Sequence, residues 1–167
     1  MKIILLLLLA CLFLVGCQRM VYVDGGEAGS SYVAAYQHNE TGHLLVIDET
    51  DTYYNFTGWN VTHQVGFSSN GADALILYDG DYKIDYSISF SGGANTEYHL
   101  TIFVNDDEKY ECHFARKIGT GGDVGNGGAT CILSLVSGDV ITTRIENVDN
   151  KNDINVYDAN VNIMRVA

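Results

Sequence analysis

The stretch that most constrains this chain runs from Gly80 to Phe90, GDYKIDYSISF. Tyr82, Ile84, Tyr86, Ile88 and Phe90 are apolar or aromatic, and Lys83, Asp85, Ser87 and Ser89 between them are polar. Successive side chains of a strand point to opposite faces, so this alternation predicts a strand with one face in a core and the other outside it. Its length, and the absence of any breaker, predict Tyr82–Ser91 as a central strand.

The same pattern recurs along the chain. Strands are expected at Ser31–His38, Leu44–Asp48, Thr52–Phe56 and Val61–Ser68, with Ala74–Tyr78 a short apolar run before a turn at Asp79 and Gly80. Beyond the central strand, Thr96–Asn105 and Lys109–Ile118 form a hairpin. The first places Tyr98, Leu100, Ile102 and Val104 on one face, and the second places Tyr110, Cys112 and Phe114 there. Gly119–Ala129 (GTGGDVGNGGA) reads as a glycine-rich loop; neither a Lys-Ser/Thr pair nor a helix follows, so it matches no phosphate-binding pattern. Thr130–Val136, Asp139–Val148 and Asn155–Val166 complete about ten strands, the last with Tyr157, Ala159, Val161 and Ile163 inward. With 18 glycines, 11 tyrosines and no helical period after residue 17, this is an all-β pattern, a sandwich or a barrel.

The first residues read differently. Lys2 precedes an unbroken apolar run from Ile3 to Val15, thirteen residues long and too short for an ordinary membrane-spanning helix. It fits the apolar core of a secretory signal helix. The run ends Leu14-Val15-Gly16-Cys17, which resembles a bacterial lipobox, the recognition sequence of lipoprotein signal peptidase. That resemblance implies cleavage before Cys17 and lipid on its sulfur. The alternative is an ordinary signal cut near Gly16, with Cys17 incidental. The expected organisation is a lipoprotein signal peptide over 1–16, a tether over 17–31 and one domain over 32–167. Several acyl chains on Cys17 would make the membrane a firm partner. Gln18 follows the cysteine, and by analogy a residue other than Asp there sends a lipoprotein to the outer membrane or cell surface.

Charge narrows the partners. Nine Lys and Arg stand against 21 Asp and Glu, for a net charge of −12. Nucleic acid and anionic lipid headgroups need a basic footprint, so neither is expected. Outside the leader and Cys17, the remaining cysteines are Cys112 and Cys131. In an oxidising compartment they either pair or stay as two buried thiols, and sequence alone does not give the separation a bond needs.

Residues 31–166 as a whole resemble the tumour-necrosis-factor-like jelly rolls, the superfamily that includes the globular head of complement-one-q. GDYKIDYSISF looks like the family's Gly-x-Tyr strand. Tyr98–Lys109 looks like the strand that follows it and ends in an Asn turn. Leu133–Ile141 (LSLVSGDVI) looks like its Leu-x-Leu, Gly-Asp-x-Val hairpin, and Ala159–Val166 (ANVNIMRV) resembles the closing strand of versions found in bacterial and phage surface proteins. The resemblance implies a ten-stranded antiparallel two-sheet jelly roll and a compact homotrimer. It also implies a role in binding a surface protein or a glycan, or in capping a fibre, and no enzyme activity. The family's trimer axis packs aromatic and aliphatic groups, whereas here Lys83, Asp85, Ser87, Ser89, Asp158, Asn160 and Asn162 all point outward.

Candidate chemistry is sparse. His99 and His113 fall on the outward side of a predicted hairpin with Glu111 nearby, but zinc needs three or four convergent ligands, and two solvated histidines are the simpler reading. Calcium would suit the oxygen-rich turns at Asp79/Asp81, Asp106/Asp107/Glu108 and Asp149/Asp153; none has the spacing of a calcium loop, and turn formation accounts for them. No other cofactor is implied. No Gly-x-Ser-x-Gly elbow exists and no acid pair stands out, so no catalytic residue is assigned. Trp59, Tyr53 and Tyr54 form an aromatic group that is either a sugar-stacking platform, as in a carbohydrate-binding lectin-type jelly roll, or a corner of the core. The area an aromatic buries favours the core.

Overall fold

A computed structural model describes residues 30–120 and 122–167. The leader, Cys17 and nearly all of the tether lie outside these residues. Among the described residues there is no helix, and none long and apolar enough to cross a membrane.

The chain forms eleven strands: β1 Tyr32–Leu45, β2 Tyr54–Asn55, β3 Asn60–Val65, β4 Phe67–Ser69, β5 Ala74–Ile76, β6 Gly80–Ser91, β7 Thr96–Val104, β8 Asp107–Ile118, β9 Val124–Leu135, β10 Val140–Asn147 and β11 Ile154–Arg165. They pair antiparallel in two sheets. One has the order β3-β1-β11-β6-β9 and the other β4-β5-β10-β7-β8, with β2 added beside β10. The sheets face each other as a jelly-roll sandwich. The alternation of β6 holds throughout: Tyr82, Ile84, Tyr86, Ile88 and Phe90 are all buried between the layers. They meet Tyr98, Leu100 and Ile102 of β7 and Ile141 and Ile145 of β10 in one core. Phe90 packs edge-on against Tyr98 at 5.4 Å and Phe67 against Tyr82 at 5.6 Å. Buried phenols need partners. Tyr86 donates to the carbonyls of Leu100 (3.1 Å) and Cys112 (2.5 Å), and Tyr82 donates to that of Tyr78 (2.6 Å).

Five expectations are corrected, each by a local backbone device. The strand expected at 31–38 and the start of the one expected at 44–48 are one strand, β1, which keeps its pairing to β11 across an irregularity between His38 and His43 and ends at Leu45. The strand expected over 61–68 is two. Gly66 adopts φ +71°, where a Cβ would also overlap Ser31, and the chain turns there from one sheet into the other. The glycine-rich loop is mostly strand: Val124–Leu135 pairs with β6 along its whole length. The glycines are there for closeness rather than looseness, since a Cβ on Gly127 would overlap the Phe114 ring. Tyr110 is exposed, not inward, because β8 carries extra residues opposite Leu100–Ile102 and shifts phase. Tyr157 likewise leaves the core series, because a bulge between Val156 and Asp158 gives the inward position to Val156.

Candidate binding face

The registers of β3, β1, β11, β6 and β9 define rows of side chains across the outward face of the five-stranded sheet, since directly paired residues share a face. The first row is Val65, Tyr32, Met164, Lys83 and Ile132. The second is His63, Ala34, Asn162, Asp85 and Thr130; the third is Asn60, Tyr36, Asn160, Ser87 and Gly128. The fourth runs His38, Asp158, Ser89 and Asn126. The first row is apolar apart from Lys83 and open to solvent, with Val65 51% and Ile132 61% exposed. Several polar side chains of the other rows bond to one another across the strands. Thr130 donates to Asp85 (2.6 Å), Lys83 pairs with the same carboxylate (2.7 Å), and Asn160 donates to Ser87 (2.7 Å). The lysine contact, then the threonine, hold the Asp85 carboxyl below its ordinary range. His38 lies 2.5 Å from Asp158, and that hydrogen bond raises its pKa.

The middle of the six-stranded sheet's outward face is closed by its own side chains, while Tyr110 on its edge strand β8 stands 77% exposed. Phe103 is only 7% exposed, covered by the Tyr53 ring at 5.0 Å and by the Arg144 guanidinium at 4.2 Å from its centroid. Arg144 also pairs with Asp106 and donates to Thr142 (3.0 Å). Tyr53 donates to Glu108 (2.8 Å), and burial first, then that carboxylate, push its phenol far above the ordinary tyrosine range. His99 sits between two carboxylates, Glu97 at 3.0 Å and Glu146 at 3.2 Å, with the His113 ring 4.8 Å away. Among the described residues no three His, Cys, Asp or Glu side chains converge as a metal centre.

The aromatic group singled out from sequence is split up. Trp59 packs edge-on against Phe56 at 4.9 Å and donates to the Phe56 carbonyl (3.1 Å). With Val33, Ala35, Ile141 and Val161 it lines a cleft of only about 30 Å³ between the sheets. Tyr54 packs against the core, and its hydroxyl accepts from the Glu49 amide (2.7 Å). Tyr53 belongs to the Phe103 cover on the outside of the other layer. The three rings therefore make no common platform. The acidic side chains at the turns serve the backbone: Asp139 accepts from the Val136 amide within its own turn (2.8 Å), while Asp79 accepts from the Ser137 amide (2.7 Å) and Asp149 from the Glu97 amide (2.9 Å), tying distant segments together.

Cys112 of β8 and Cys131 of β9 are joined in a disulfide with Cα atoms 5.1 Å apart. β8 and β9 are the edge strands of opposite sheets, so the bond staples the layers along one side. Beyond it the edges part into an open groove of about 520 Å³ beside Lys109, Glu111 and Ser134. The exposed row of the five-stranded sheet was not read from sequence, because it is assembled from five segments far apart in the chain. The exposed alternate positions of each strand were its only trace.

No protein-family model matches the chain, and no curated protein matches it. Solved structures do. Eiger TNF from S. frugiperda superposes with TM-score 0.60 at 13% identity, over 82% of this chain and 94% of that one. Murine APRIL at pH 8.0 superposes with TM-score 0.58 at 11% identity, over 83% of this chain and all of that one. At such identities the likeness carries the fold alone, and that fold is tumour-necrosis-factor-like.

Proposed function

We propose that this chain is a non-catalytic, surface-displayed binding module that assembles as a homotrimer through the outward face of its five-stranded sheet. The observation that carries the reading is the contrast between the two outward faces. One layer covers its own aromatic side chain with Tyr53 and Arg144, while the other leaves Val65, Tyr32 and Met164 side by side in an open row that continues past Lys83 to Ile132. Contiguous exposed apolar surface marks contact sites, and the tumour-necrosis-factor-like fold favours a second and third copy as the occupant.

Anchoring belongs to the same proposal. Lipid on Cys17 would hold the protein at the outside of a bacterial cell, in the outer membrane or at the cell surface. The chain would then enter the domain at Ser31, whose carbonyl accepts from the Arg165 amide (2.8 Å). The loops at the opposite end, 46–53, 92–95 and 148–153, would face away from the membrane and meet the partner. Trp59 and Tyr54 are partly buried against the core and make no common platform with Tyr53, which favours a protein over a glycan as that partner.

Light scattering on the purified protein tests the assembly. Three copies per particle at micromolar concentration are expected, and a monomer would overturn the reading. Palmitate labelling tests the anchor: wild type takes up label and Cys17→Ser does not. An unlabelled wild type would remove the anchor from the proposal.

A further inference from the structure

We infer that copies of this chain lock together by inserting Tyr36 of one into a dent beside Gly128 of the next. The inference rests on the trimer reading above and names the contact within it.

Tyr36 and Gly128 stand at opposite sides of the same row. Tyr36 pairs with Asn160, Asn160 with Ser87, and Ser87 with Gly128. Three strand steps separate them, roughly 14 Å at the usual strand spacing. Tyr36 is 46% exposed. Among the described residues its ring stacks on no other and its hydroxyl has no hydrogen-bond partner. An unpartnered phenol standing on a face of amides and hydroxyls is a knob.

The hole is built by the backbone. Asp85, Ser87, Gly128, Thr130 and Asn160 line an open dent of about 260 Å³. It stays empty because Gly128 runs so close to β6 that a Cβ would overlap the Tyr86 carbonyl. Its walls are held in advance by the Thr130–Asp85 and Asn160–Ser87 hydrogen bonds, so little ordering is needed on binding. Ser87 accepts from Asn160, which leaves its own O–H to donate to an incoming phenol oxygen. The Asn160 carbonyl oxygen is free among the described residues to accept the phenol proton. The charges beside the dent are already paired, Lys83 with Asp85 and His38 with Asp158, so covering them buries no lone ion.

Knob and hole occupy different halves of the face. A copy that inserts its Tyr36 therefore still offers its own dent to another. Such a contact is heterologous, and it closes into a ring when the rotation allows. The open row of Val65, Tyr32, Met164 and Ile132 runs parallel to this one, two rows along, and is covered by the same approach.

A photo-reactive p-benzoylphenylalanine at position 36 tests the contact. Labelled chains are mixed with ¹⁵N-labelled chains, irradiated, and mapped by mass spectrometry. The expected product joins position 36 to residues 85–87 or 128–130 of a different copy. An oligomer by light scattering whose cross-links fall elsewhere, or are absent, overturns the knob-and-hole contact and leaves the assembly standing. A monomer overturns both. A dimer with the expected cross-link keeps the contact and removes the three-fold ring. As a second readout, Ser87→Trp fills the dent from an exposed position. It is expected to weaken association at least tenfold with an unchanged circular dichroism spectrum; association at the wild-type level would show that the dent is not the socket.

Discussion

The two sheets are built from the same kind of alternating strand, yet their outward faces are finished differently. On the six-stranded sheet the outward positions include Thr101 and Phe103, both buried, roofed by Tyr53, Arg144 and the Glu97–His99–Glu146 contacts. On the five-stranded sheet the outward positions are mostly polar in three rows, where Tyr36 stands out at 46% exposure, and mostly apolar in the row from Val65 to Ile132. A sheet face that covers its own aromatics is complete as a monomer. A face that leaves Val65, Tyr32 and Ile132 in water has a use for a neighbour. The contrast also places stability on one side of the molecule and interaction on the other.

The comparison can be broken by mutation, and the largest effect belongs to the closed face. Phe103→Ala should cost about 4 kcal/mol, as for other buried aromatic truncations, read as a shift in the urea midpoint. Tyr36→Ala on the open face should change the unfolding free energy of the dissociated chain by no more than about 0.5 kcal/mol. Similar losses at both positions would erase the distinction.

The next effect concerns the staple between the layers. The disulfide links residues 19 apart, so replacing Cys112 and Cys131 together by Ala should cost about 3 kcal/mol through the loosened unfolded chain. Denaturation with and without reductant gives the same comparison. If both forms melt alike, the two sheets hold together without it.

Smaller again is the hydroxyl of Tyr86, which serves two backbone carbonyls between the layers. Tyr86→Phe should cost about 1 to 2 kcal/mol. The same residue gives a pH signature. Burial raises the pKa values of Tyr86, Tyr82 and Tyr98. The native state then holds these protons more tightly than the unfolded chain. Their contribution is complete below the unfolded value near 10 and is lost as pH rises beyond it. Thermal melts between pH 8 and pH 11 should show a falling midpoint only above about 10, and a flat profile would count against buried phenols.

The smallest effect lies on the open face. Asp158→Asn should lower the pKa of His38, read by NMR titration, because the Asp158 hydrogen bond is what raises it. The pairing is present below the unfolded histidine value and fades as pH rises through the folded one. An unmoved titration would mean the pair is not formed in solution.

Alternation of side chains was enough to write down the core from the sequence. Tyr82, Ile84, Tyr86, Ile88 and Phe90, and Tyr98 through Val104, sit where a period of two places them, because a strand offers each residue only two directions. The lack of a helical period beyond residue 17 likewise pointed to an all-β domain, and among the described residues there is no helix. Phase was lost wherever the backbone gained a residue. Tyr110 and Tyr157 were assigned inward because a bulge leaves no mark in the letters. Glycine was misread in the stretch after Gly119, because a residue without a side chain permits looseness and close approach alike. Only the facing Phe114 ring decides between them at Gly127.

What the chain determined by itself is thus local: which residues point together along each strand, and where tight turns can form. What only the tertiary structure decided is everything that depends on segments meeting across the sequence. That includes the Cys112–Cys131 bond, the packing of Trp59 against the core, the roof over Phe103, and the row that strings Val65 to Ile132. The physical reason is that an outward side chain becomes buried or stays open according to its cross-strand and overhead neighbours. Those neighbours are set by sheet order, not by chain order.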